Sequence, residues 1–164
     1  MTAVCAWPNT DVCIGRCRRA HLTEAEIKTW FLQQALQCAK DFPVSEEEIL
    51  LLEKHKIPDT RNAKCLLACM FKKTEWVDDK GMFIEENAVK MSEQEHPDEP
   101  AKVENAKKLF DLCKKVNEEN ISGADSECER AAMLAKCLSE NAPKVILTLF
   151  VNSFLNRKLT LLLV

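Results

Sequence analysis

Nine cysteines and three histidines are the side chains of this sequence whose spacing bears most directly on chemistry. Cys65 and Cys69 stand four residues apart in the run Lys64 to Lys73, KCLLACMFKK, so on a helix both thiols leave the same face. One-turn spacing does not bring two Cβ atoms into the approach a disulfide needs, so each can be bridged to a different neighbouring helix instead. Cys38, Cys113, Cys128 and Cys137 also stand where helical segments can present them. The sequence has no Cys-x-x-Cys pair of the kind a zinc ribbon or a thioredoxin-like redox motif uses, and an oxidised framework is the better reading.

Other chemistries find little support. Cys13, Cys17 and His21 recur every four residues and can in principle line one side of a helix as metal ligands. An irregular or misassigned leader over residues 1–22, with Cys5, Cys13 and Cys17 lacking fixed partners, is the preferred account, and no metal or other cofactor is expected. His55 lies in EKHKIP and His96 in EQEHPDEP, neither beside the acid and nucleophile that a hydrolytic triad needs. The acidic clusters at Glu46 to Glu48 and Asp78-Asp79 lack the ligand series of an EF-hand. The chain is not expected to be an enzyme.

A chain of 164 residues is one domain by default and is long enough to bury a core. Three glycines, six prolines and no tyrosine, with Ala, Leu, Glu and Lys abundant, favour helix over sheet. A formal net charge of -3 offers no general pull on nucleic acid or anionic membrane.

Six helices are expected to position the cysteines. Thr23 with Glu26 opens the first as a capping box, and Ile27, Trp30, Phe31, Ala35 and Cys38 form its buried stripe to near Asp41. Ser45 with Glu48 opens a second, which is read as running to Ile57-Pro58. A third begins at or after Asp59 or Thr60 and runs to about Thr74. Asp78 to Gly81 is a turn in which Gly81 takes a positive φ cheaply. The fourth helix spans Glu85 to Glu95, and the fifth Ala101 to about Glu118 with Val103, Ala106, Leu109, Phe110 and Cys113 on one face. The sixth runs from Ser126 to Leu138.

The two ends fit this plan poorly. Residues 1–22 are broken by Pro8, Asn9, Asp11 and three arginines, so no secretory leader is evident in them. Residues 145–164 are apolar, but Asn152, Asn156, Arg157 and Lys158 interrupt them at a cost of several kcal/mol to any membrane span. Leu147, Val151, Phe154 and Leu155 make an amphipathic tail the alternative.

The series Cys38, Cys65-x3-Cys69, Cys113, Cys128-x8-Cys137 on six helices resembles the insect pheromone and general odorant-binding proteins over residues 23–144. The resemblance implies an all-α, compact six-helix, disulfide-stapled fold enclosing an apolar cavity. It implies the pairs Cys38–Cys69, Cys65–Cys128 and Cys113–Cys137, in which a loop of about 30 residues closed by one bridge is worth about 4 kcal/mol. It also implies a secreted, non-catalytic carrier of odorants or pheromones in extracellular lymph, the ligand being driven in by burial of its apolar surface. The alternatives are a non-olfactory carrier of lipids or hormones and a saposin-like membrane-active protein. The partner expectations are a small hydrophobic ligand, a transient contact with membrane or chemoreceptor, and a homodimer, with no nucleic acid.

Ligand contacts are expected from the inward faces: Phe71 and Trp76 at the end of the third helix, Met82, Phe83 and Met91 around the fourth, and Leu109 and Phe110 on the fifth. Met133 and Leu134 follow on the sixth, and Val145 and Ile146 after it. Ordinary core packing explains any one of these as well, and Met82 and Met91 stand out because thioethers adapt to varied shapes. Trp76, Lys72 and Lys73 lie in the region expected for a polar anchor, although surface lysines are usually only solvated. Two departures from the family pattern are the 14 residues between Cys113 and Cys128 and the absence of tyrosine as a hydroxyl anchor.

Overall fold

Six α-helices make up the regular structure of residues 24–142, the part of the chain that the computed structural model describes: α1 (Glu24–Asp41), α2 (Glu46–Glu53), α3 (Arg61–Lys73), α4 (Glu85–Glu95), α5 (Pro100–Cys113) and α6 (Ser126–Asn141). The expected Thr23 cap, the leader, and the tail with Val145 and Ile146 lie outside the described residues.

Two helix starts follow directly from side-chain chemistry. At α2 the Glu48 N–H donates to the Ser45 Oγ at 3.3 Å and the Ser45 N–H donates to the Glu48 carboxylate at 2.6 Å, completing the expected capping box. Thr60 caps α3 by accepting from the Ala63 N–H at 3.3 Å, and its hydroxyl donates to the same Glu48 carboxylate. One glutamate thereby ties two helix starts together. The Thr60 hydroxyl, followed by the Ser45 N–H, holds the Glu48 carboxyl below the usual carboxylate range.

Three boundaries differ from the sequence reading, each for a local reason. α2 stops at Glu53 rather than at Ile57-Pro58. His55 takes a left-handed φ of 58°, while the His55 N–H reaches the Leu52 carbonyl at 2.9 Å and the Lys56 N–H the Leu51 carbonyl at 2.9 Å. This is a helix-closing turn normally led by glycine. α5 ends at Cys113 and tightens into a 3-10 turn over Lys114–Asn117, which carries Val116 into the core. α6 continues past Leu138 to Asn141, whose side-chain amide donates to the Cys137 carbonyl at 2.8 Å.

The core is built around α3, which contributes Ala63, Cys65, Leu66, Ala68, Met70 and Phe71 as buried residues. α3 packs most broadly on α6, and α4 packs on α5. The disulfides are Cys38–Cys69, Cys65–Cys128 and Cys113–Cys137, with Cα–Cα separations of 5.8, 4.5 and 5.7 Å. These are the three expected pairs, and they join α1 to α3, α3 to α6 and α5 to α6. Ion pairs run beside the central bond: Arg61–Asp125 at 2.7 Å, Lys64–Glu129 at 3.0 Å, and Lys72–Glu127. Cys65, Asp125 and Cys128 offer heteroatoms within 4.8 Å of one another, but both sulfurs are spent in the disulfide and Asp125 is taken by Arg61.

Candidate functional site

The end of α3 turns back on itself, and that turn builds the candidate site. Glu75 adopts a left-handed φ of 58°, the Glu75 N–H donates to the Lys72 carbonyl at 3.0 Å, and the Trp76 N–H donates to the Phe71 carbonyl at 2.9 Å. In this closing turn the residue after the left-handed one packs against the last helical turn. Trp76 accordingly stacks on Phe71, with centroids 6.0 Å apart and planes 9° from parallel. The Thr74 hydroxyl is buried and donates to the Phe71 carbonyl at 3.0 Å.

From Trp76 the chain runs through the expected turn to Phe83. Gly81 has a φ of 74°, and a Cβ there would stand 2.9 Å from the Cα of Glu127 on α6. The Asp78 carboxylate accepts from the Lys80 and Met82 N–H groups, each at 2.8 Å, and Val77 pairs with Phe83 as an isolated antiparallel bridge. The Phe83 ring also meets Trp76, and Phe110 of α5 closes the group. Trp76 lies 5.3 Å from Phe110 edge to face and 6.3 Å from Phe83, and Phe83 lies 6.2 Å from Phe110. Such tilted pairs suit the aromatic quadrupole. All four rings are buried, in one apolar cluster with Met91, Leu109 and Leu134.

A family model for the PBP/GOBP family matches residues 20–141, most of the chain. The chain belongs to the PBP/GOBP family. Among its relatives, general odorant-binding protein 19d of Drosophila melanogaster is 24% identical over 106 residues, 65% of this chain and 67% of that one. Among solved structures, odorant-binding protein dmelOBP28a of Drosophila melanogaster superposes with a TM-score of 0.58 at 24% identity, over 74% of this chain and 97% of that one. The odorant-binding protein lmigOBP1 of Locusta migratoria gives 0.59 at 21% identity, over 78% and 90%. Pheromone binding protein 3 of Epiphyas postvittana gives 0.52 at 25% identity, over 66% and 92%.

In this PBP/GOBP chain seven of the expected contact residues, Phe71, Trp76, Phe83, Met91, Leu109, Phe110 and Leu134, fall in the one buried cluster. Met82 is half-buried and lies outside that cluster. Met133 corrects the reading of α6: it is 37% exposed, because its position on the helix lies away from the face carrying Arg130, Ala131, Leu134 and Leu138. The two lysines considered as a polar anchor are engaged elsewhere, Lys72 with Glu127 and Lys73 with the Gln37 side chain at 3.3 Å. The sequence reading missed Asn117 and Arg130, polar residues that touch the backbone around the site; the long interval between Cys113 and Cys128 is the only trace of Asn117, and Arg130 on α6 leaves none.

Glu95, at the C-terminal end of α4, is half-buried, and burial pushes its carboxyl up to about 7. No helix among the described residues is long and apolar enough to cross a membrane.

Proposed function

We propose that this chain binds odorants or pheromones and carries them, unreacted, through extracellular lymph, holding them against the Phe71, Trp76, Phe83 and Phe110 rings. The coarser statement, a carrier of small hydrophobic ligands, is the role typical of the family to which it belongs. The observation that carries the finer reading is the aromatic cluster itself: four buried rings on three different segments, within helices cross-linked by three disulfides. A helical core ordinarily fills its centre, since a void loses contacts in proportion to its size. Cross-links that stabilise the frame independently of its packing offset that loss and leave room for a guest. Aromatic and thioether walls then take up ligand surface leaving water, at about 25 cal/mol per Å² of apolar area.

An extracellular setting is supported by the three disulfides, which persist in oxidising compartments, and by the kinship with odorant-binding proteins. The test is native mass spectrometry and fluorescence titration with an anilinonaphthalene probe, on full-length protein made in an oxidising compartment. A mass short by three pairs of hydrogens, with saturable probe binding displaced by 1-dodecanol, is the expected result. Oxidised, folded protein that binds neither compound would overturn the carrier reading.

A further inference from the structure

The bridge between Val77 and Phe83 uses one edge of the Phe83 segment: the Ile84 N–H donates to the Trp76 carbonyl at 2.7 Å, and the Asp78 N–H donates to the Met82 carbonyl at 3.0 Å. The N–H and carbonyl of Phe83 itself point to the other edge, where a further strand would lie. Both are taken by one side chain. Asn117 accepts from the Phe83 N–H at 2.8 Å and donates to the Phe83 carbonyl at 2.9 Å, so its carboxamide stands in for a peptide unit of that strand.

Asn117 is itself held from α6. It ends the 3-10 turn after α5, and the buried Arg130 side chain donates to the carbonyl of Val116 on one side of it and of Glu119, at 3.2 Å, on the other. A guanidinium presents its donors in a rigid fork, so the two carbonyls are held in fixed relation and Asn117 between them is aimed at Phe83. A polar chain thus runs from α6 through the turn to the backbone of one ring of the aromatic cluster.

We propose that Asn117, held by Arg130, is a positioning residue that sets where the Phe83 ring stands against Trp76 and Phe110, and so which shapes of apolar ligand the site accepts. This rests on the carrier reading above. Phe83 sits on the segment between α3 and α4, which carries no cysteine, so its position depends on hydrogen bonds and packing. With the carboxamide gone, two partly buried backbone groups lose their partner and the segment moves outward to reach water. The wall recedes, and a broad ligand gains on a slim one.

The experiment compares the affinities of the wild-type chain and of Asn117→Ala for 1-dodecanol, a slim ligand, and for an anilinonaphthalene probe, a broad one, together with hydrogen exchange at the Phe83 amide. Exchange in the variant is expected to be about tenfold faster, and the affinity ratio to shift about fivefold toward the broad probe. Asn117→Asp, which keeps the acceptor for the Phe83 N–H, takes its place if Asn117→Ala does not fold, with the same direction of shift expected. Arg130→Lys should shift the ratio the same way and add nothing further in the Asn117→Ala background, since it acts through that residue. A ratio within about twofold of wild type, with both ligands bound, would overturn the positioning role even if thermal stability fell. Additive effects of Arg130→Lys and Asn117→Ala would overturn the link between them. Failure of the wild-type chain to bind either compound refutes the carrier reading instead, so the two failures are distinct.

Discussion

Removing the central disulfide with the double variant Cys65→Ala and Cys128→Ala tests how the frame is stabilised. The two cysteines are 63 residues apart, and closing a loop of that length removes about 4 kcal/mol of unfolded-state entropy. The sulfur of Cys65 is buried, so truncation also leaves a small void whose cost has the same sign. The ion pairs along the same seam are mostly solvent-exposed and screened, so they cannot replace the bond. For a domain of this size about 4 kcal/mol corresponds to a fall of about 16 °C in Tm. The assay is thermal and urea unfolding of the oxidised double variant beside wild type, with the other two disulfides verified by mass. A fall under about 4 °C would refute the reasoning, because α3 would then be held to α6 by packing alone and the cross-link would be dispensable.

Three further outcomes follow from local geometry. Gly81→Ala places a Cβ against the backbone of α6 at a φ of 74°, and urea unfolding should show a loss of about 2 kcal/mol; an unchanged midpoint would mean that the turn does not press on α6. Glu75→Val puts a β-branched residue at a φ of 58°, so it should cost about 1 kcal/mol and weaken probe binding, because the same turn seats Trp76 on Phe71. Glu95 binds its proton more tightly folded than unfolded, since burial raises its carboxyl from 4.5 to about 7. Its contribution is therefore fully present below about pH 4.5 and is lost as pH rises through about 7. Glu95→Gln should leave stability at pH 4 nearly unchanged and raise it at pH 8 by about 2–3 kcal/mol, and an equal effect at both pH values would contradict the burial.

Much of the fold is legible in the sequence because its strongest signals are local. Ser45 and Glu48 close a hydrogen-bonded ring across three residues, and Gly81 sits at a left-handed turn between two acids and an apolar run. Positions at three- and four-residue steps likewise mark the buried stripe of α5. The disulfide partners came from family resemblance rather than from spacing, which left them open. The misread features have non-local or atypical causes. α2 is closed by His55 where a reader looks for glycine. Met133 reads as inward from the sequence because α6 is apolar over a broad arc, Ala131, Ala132, Leu134, Ala135 and Leu138, and composition does not fix where that arc ends. Asn117 pairs with a backbone 34 residues away, an interaction that leaves no periodicity to read.

The four rings of the site differ in what fixes them. Phe71 lies half a turn beyond Cys69 on α3, and Phe110 lies about one turn before Cys113 on α5, so both belong to helices anchored by disulfides close at hand. Trp76 and Phe83 stand on the cysteine-free stretch between α3 and α4, placed by a left-handed turn, a single β-bridge and the Asn117 carboxamide. Half of the cluster is thus set by the covalent frame and half by hydrogen bonds worth about 1 kcal/mol each. The two halves should separate in experiment. Loss of the Cys65–Cys128 bond should lower Tm strongly while the ratio of slim to broad ligand affinity stays near wild type, since the rings keep their local supports. Loss of Asn117 should do the reverse, a modest fall in Tm with a clear change in that ratio. If both variants moved both quantities in proportion, stability and shape selection would be one property of the whole frame, and the division drawn here between its covalent and hydrogen-bonded parts would have no functional meaning.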